Sequence, residues 1–138
     1  MLIDSHCHLN YLDDPDGAIE RARQSGVSSC LCISVDEQGY AGVIGLASTH
    51  DDVWATAGVH PDAADGNLHW IEGALSHDRV VAVGETGLDY FHASEQAVQA
   101  RQREAFAYQL DLAVKNTLPV IVHTRQAEAD TLDLMRAY

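Results

Sequence analysis

Short apolar runs alternate along this chain with longer stretches of helical periodicity, the signature of β and α elements in turn. Leu2 to His8 reads as a strand, its apolar start leading into polar positions. Pro15 to Gln24 predicts a helix, with Asp14 as cap, Pro15 in the first turn and Gly26 as terminator. Ser28 to Val35 predicts a second strand, with Leu31, Ile33 and Val35 on one face and Cys30, Cys32 and Ser34 on the other. A helix follows from Asp36 to Thr49, weakened by Gly39, Gly42 and Gly45. Val53 to Val59 forms a third strand that Pro61 stops, and Leu68 to Ser76 a short helix. Arg79 to Glu85 is a fourth strand whose run Val80 to Val83 fits burial on both faces. A loop over Thr86 to Ala93 precedes a long helix, Ser94 to Asn116, with Val98, Phe106, Leu110 and Val114 near helical spacing. Pro119 to His123 is the fifth strand, and a further helix begins at Ala127.

Five β-α units in sequence predict a parallel α/β sheet with helical crossovers. No glycine-rich dinucleotide or P-loop signature follows the first strand, which disfavours an open nucleotide-binding sheet. Polar residues gather instead at the C-terminal ends of strands one, three, four and five, the habit of a (β/α)8 TIM-type barrel. Such a barrel usually needs about 250 residues. The 138 residues here are therefore expected to be one incomplete barrel domain, 1–138, with about five of the eight units.

Alternation sorts those polar residues by direction. His6 and His8 share a face of the first strand with Asp4, so two imidazoles can hold a divalent cation with the carboxylate behind them. Val81, Val83 and Glu85 share a face of the fourth strand, and Ile121 and His123 a face of the fifth. His6, His8, Glu85 and His123 thus converge at one mouth. A carboxylate following a buried run is costly unless a cation faces it, and its two oxygens can bridge a pair of cations. His60 is a ligand, a phosphate contact or a turn histidine, with substrate contact preferred. Arg125 is a phosphate contact or an exposed helix-start arginine. His50, His69, His77 and His92 read as solvated, Cys7 as a small packed residue, and Cys30 and Cys32 as filling of the barrel interior.

Composition narrows the partners. A hydrophobic fraction of 46% and a charged fraction of 21% belong to a folded soluble domain. The formal charge of -13 excludes a broad basic nucleic-acid surface but leaves open a phosphate held by metal ions. Three cysteines without a CxxC pair predict free thiols and a reducing compartment. Without a basic and apolar leader or a run long enough to span a bilayer, the expected location is the cytoplasm, with no membrane partner.

Four segments resemble the successive signatures of the TatD-type metal-dependent deoxyribonucleases, barrels of the amidohydrolase type. They are Asp4-Ser5-His6-Cys7-His8, Ala57-Gly58-Val59-His60-Pro61, Gly84-Glu85-Thr86-Gly87-Leu88-Asp89-Tyr90 and Pro119-Val120-Ile121-Val122-His123-Thr124-Arg125. The resemblance implies a two-metal hydrolase, with Mg²⁺ favoured over Mn²⁺ or Zn²⁺, acting on DNA as a 3′–5′ exonuclease. It implies that His6 and His8 bind one metal, His123 the second, and Glu85 both, as the catalytic carboxylate, with His60 and Arg125 approaching substrate phosphates. A histidine after a sixth strand and an aspartate after an eighth belong to the same pattern and have no counterpart in these residues. Two other readings stand beside the nuclease: ester hydrolysis, such as removal of a misattached amino acid from tRNA, and a non-catalytic metal-binding or assembly module. Unpaired sheet edges are expected to associate.

Overall fold

A computed structural model describes residues 2–138. Its five strands are β1 (Leu2–Cys7), β2 (Val27–Cys32), β3 (Val53–Ala57), β4 (Val80–Asp89) and β5 (Val120–Arg125). Between and after them lie the helices α1 (Pro15–Gln24), α2 (Glu37–Thr49), α3 (Trp70–Ala74), α4 (Gln96–Asn116) and α5 (Glu128–Met135). All neighbouring strands pair in parallel, and their order across the sheet is β1-β2-β3-β4-β5. Sequential order without a reversal point is the order of a (β/α) barrel, whereas a doubly wound sheet reverses direction. Three strand spacings separate β1 from β4, about 14 Å in a flat sheet. Yet His6 of β1 reaches Glu85 of β4 at 3.4 Å. The sheet is therefore curled, and these units form one wall of a barrel.

Local chemistry accounts for most element boundaries. The Asp14 side chain caps α1 by accepting the Gly17 N–H, and Asp36 caps α2 through Gly39. Two strands outrun expectation. β4 continues through Thr86–Asp89, and β5 through Arg125, because the two pair at Thr86↔Val122, Gly87↔His123, Leu88↔Thr124 and Asp89↔Arg125. The expected loop at Thr86 is thus strand, and its first residues are buried. β2 is shorter than expected and ends at Cys32, and α3 occupies only the middle of its expected span.

The main core lies between sheet and helices, where Ile19, Val43, Ala47 and Ile71 meet Cys30, Cys32, Val53, Ala55, Val80 and Val83. Cys30 and Cys32 therefore face the helical layer, not the barrel interior. A smaller cluster joins Leu88, Phe106, Leu110 and Ala127. Val114 is 60% exposed; the buried face of α4 instead carries two glutamines, Gln102 and Gln109, among its apolar residues. β1 and β5 are the sheet edges, and Leu2 and Ile3 are each 62% exposed.

Candidate metal centre

Each candidate side chain is held by a backbone device of its own. β1 ends at Cys7, and His8 begins a single 3-10 turn, Leu9–Tyr11. The His8 Nδ1 lies 3.2 Å from the Ile33 carbonyl, and its ring stacks against Tyr11 at 5.8 Å. Asp4, expected behind the imidazoles, accepts the His6 backbone N–H at 3.1 Å instead. Glu85 donates its N–H to the Ser34 carbonyl at 2.7 Å. Just before it, Gly84 adopts φ 141°, and a Cβ on Gly58 of the neighbouring strand end would lie 2.4 Å from the Gly84 backbone. Glycine at both positions allows β3 and β4 to approach this closely.

Glu85 is the centre of the cluster. Its side chain is buried, with Oε2 3.4 Å from His6 Nε2 and 3.9 Å from His8 Nε2. Its other oxygen, Oε1, lies 3.4 Å from His123 Nδ1. Ligand atoms of His6, His8 and Glu85 all lie within 4.8 Å of one another, as do those of His60, Glu85 and His123. The spacing is long for direct hydrogen bonds. It suits donors sharing a cation, since bonds of about 2.1 Å at ordinary coordination angles separate donor atoms by about 3–3.5 Å. Imidazole and carboxylate donors also suit divalent ions, so the residues present fit such a centre.

The surroundings refine the other expectations. His60 accepts the Asp62 N–H on Nδ1 at 3.2 Å, its backbone N–H donates to the Val35 carbonyl at 2.8 Å, and its ring meets that of His123 edge-on at 4.4 Å. Burial, and then the neighbouring His123, hold the His60 imidazole below its ordinary pKa. Arg125 is exposed, with its guanidinium stacked 3.6 Å over the Phe91 ring. His50 departs from its solvated reading: its Nε2 lies 2.7 Å from Asp16 Oδ1, and its Nδ1 is 3.3 Å from the Arg23 guanidinium. Cys7 packs away from the imidazoles and points its thiol at the Leu31 carbonyl; burial pushes that thiol's pKa up.

Two glutamines escaped sequence reasoning, and Asp89, quoted there within a signature, was given no role. Gln109, fully buried on α4, accepts the Val59 N–H at 2.8 Å and donates to the Val59 carbonyl at 3.0 Å, clamping the residue before His60. Gln102, seven residues earlier on the same helix, accepts the Asp89 N–H at 2.9 Å. Asp89 itself is 3% exposed and contacts His123. The legible signal was polar: two glutamines recur on the face of α4 that also carries Phe106 and Leu110.

A cleft of about 390 Å³ opens beside the cluster, lined by His8, Tyr11, Val35, Asp36, His60, Asp62, Ala63 and Glu85. Imidazoles and a carboxylate gathered at the C-terminal strand ends of a parallel, barrel-type sheet are the arrangement of metal-dependent hydrolase sites. The chain belongs to the TatD related DNase family, whose profile matches residues 3–138. It is 38% identical over 145 residues to YcfH of Escherichia coli K12, described as an uncharacterized metal-dependent hydrolase, over 98% of this chain and 53% of that protein. Over 130 residues it is 36% identical to the 3′-5′ ssDNA/RNA exonuclease TatD of Edwardsiella piscicida, covering 91% of this chain and 49% of the other. The crystal structure of YjjV, a TatD homologue from Escherichia coli K12, superposes with a TM-score of 0.89 at 30% identity, over 99% of this chain and 55% of that one. The chain spans about half the length of the curated relatives it matches. No helix among the described residues is long and apolar enough to cross a membrane.

Proposed function

We propose that this cluster is the metal-binding wall of a hydrolase that cleaves the phosphodiester bonds of DNA from the 3′ end. On this reading residues 1–138 supply five units of a (β/α)8 barrel. The observation that carries the proposal is the division of Glu85, one oxygen toward His6 and His8 and the other toward His123. His6 and His8 with Glu85 would hold one divalent ion, Glu85 with His123 a second, and Mg²⁺ or Mn²⁺ suits the carboxylate while Zn²⁺ suits the imidazoles. When bound, such ions lower the pKa of water and offset charge on the scissile phosphate and the leaving oxygen.

The remaining residues do what their hydrogen bonds allow. Because Nδ1 of neutral His60 accepts the Asp62 N–H, its proton sits on Nε2, which donates to a phosphate oxygen rather than ligating a cation. Arg125, laid against Phe91, keeps the donor edge of its guanidinium free for a second phosphate oxygen. Tyr11 and Phe91, 59% and 48% exposed, give unpaired bases apolar surface beside these polar contacts.

The test uses single-stranded DNA labelled at either end, with protein supplied with Mg²⁺ or Mn²⁺. Release of the 3′-terminal nucleotide first, lost in Glu85→Gln, is the expected result. Uncut DNA, or equal cutting by Glu85→Gln, refutes the nuclease. Release of an amino acid from aminoacyl-tRNA with DNA left intact would assign ester hydrolysis instead. Stoichiometric oligomers without either activity would assign an assembly module.

A further inference from the structure

Asp89 is a buried carboxylate that the proposed ligand set does not use. It ends β4, and its two oxygens have separate partners: Oδ1 accepts the Phe91 N–H at 3.0 Å, and Oδ2 lies 2.9 Å from His123 Nε2. Its own backbone is fixed by Gln102 on α4. An ionised carboxylate only accepts hydrogen bonds, so the His123 nitrogen facing it must carry the proton. The other nitrogen, Nδ1, then presents a lone pair toward Glu85 Oε1, 3.4 Å away.

We propose that Asp89 is a positioning residue that locks His123 in the Nε2–H tautomer and so aims the Nδ1 lone pair into the space shared with Glu85. The proposal rests on the reading of His123 as a metal ligand. A half-buried imidazole can otherwise turn about its ring axis or exchange tautomers, and either change would put a proton where a cation should bind. Both oxygens of Asp89 are occupied, which offsets the cost of burying the carboxylate and leaves it one orientation. The amide analogue is informative for the same reason. In Asp89→Asn the single carbonyl oxygen stays with the Phe91 N–H, and the NH₂ group faces His123 Nε2. That donor demands an acceptor and inverts the tautomer, placing the proton on Nδ1.

Long-range ¹H–¹⁵N correlation on the metal-free protein, at a pH where imidazoles are neutral, reads the tautomer directly. The wild type is expected to show His123 protonated on Nε2, and Asp89→Asn to show it protonated on Nδ1. Calorimetric titration with Mn²⁺ then shows the weaker His123 binding event: about 10–100-fold loss in Asp89→Asn, with binding at His6 and His8 unchanged. Nδ1–H in the wild type overturns the proposal, whether or not the variant folds. So does an Asp89→Asn protein that folds and retains the Nε2–H form. A wild-type chain that binds no Mn²⁺ refutes the ligand reading instead, and the tautomer measurement still decides the role of Asp89. Equal weakening of both binding events with a lowered urea midpoint assigns Asp89 a merely structural role and also overturns it.

Discussion

Replacing Gln109 with leucine tests whether α4 holds the His60 side of the cleft in place. The side chain is fully buried and binds both polar groups of Val59, which is itself 3% exposed. Leucine fills a similar volume but leaves a buried N–H and a buried carbonyl without partners. At about 1–3 kcal/mol for each orphaned group, the loss is about 2–5 kcal/mol after some apolar gain. That is a large share of a usual domain stability of about 5–15 kcal/mol. In urea, with a slope of about 2 kcal/mol per molar, the midpoint should fall by about 1–2.5 M with the slope unchanged. Hydrogen exchange should show the Val59 amide losing more protection than amides of β2. A midpoint within about 0.3 M of wild type would refute the reasoning, since the two bonds would then contribute little at this slope.

Gly58→Ala places a methyl group 2.4 Å from the Gly84 backbone and should lower the urea midpoint by the equivalent of about 1–3 kcal/mol, because backbone cannot give way as a side chain can. The depressed pKa of His60 means the unfolded chain binds more protons just below its ordinary value of 6.5. Stability should therefore fall as pH drops through 6.5, and His60→Gln should flatten that part of the profile in urea titrations. If the proposed nuclease reading holds, Arg125→Ala should raise KM for single-stranded DNA by about tenfold, roughly 1.4 kcal/mol, with kcat nearly unchanged in steady-state assays. On the same reading, chelation with EDTA should abolish retention of single-stranded DNA in filter binding, since no bound cation then offsets the Asp36, Asp62 and Glu85 carboxylates that line the cleft.

Alternation and strand ends made the architecture readable. His6 and Glu85 sit where a period-2 strand must point its last side chains, so their convergence followed once the strands were parallel and sequential. What alternation cannot report is what lies beyond a strand's apolar run. Thr86 to Asp89 lacks such a run apart from Leu88, yet β5 pairing draws it into the sheet. Only that extension brings Asp89 level with Arg125 and Asp89's carboxylate to His123. Cys30 and Cys32 show a related limit. Periodicity separated the two faces of β2 correctly, but it does not say which face meets helices. Gln102 and Gln109 are the most instructive omission. A search for apolar periodicity passes over polar residues on the core face, although a buried glutamine there must have partners.

The electrostatics of the mouth bear on how an anionic substrate could be held at all. The chain carries 21 acidic residues against 8 lysines and arginines, so at a distance it repels nucleic acid. Near the cluster the balance is no better: Asp36 and Asp62 line the cleft with Glu85, and Asp89 lies behind His123. Arg125 is the cation stacked near this rim, and one guanidinium does not offset four carboxylates. Two of the four are already committed, however. Asp36 caps α2, and Asp89 is tied to Phe91 and His123. Glu85 is the carboxylate whose oxygens face imidazoles at distances too long to neutralise it by hydrogen bonding. On the proposed reading, a site built this way would take up cations before phosphates, and the acidic surface would then disfavour any nucleic acid that cannot bring a backbone phosphate up to those cations.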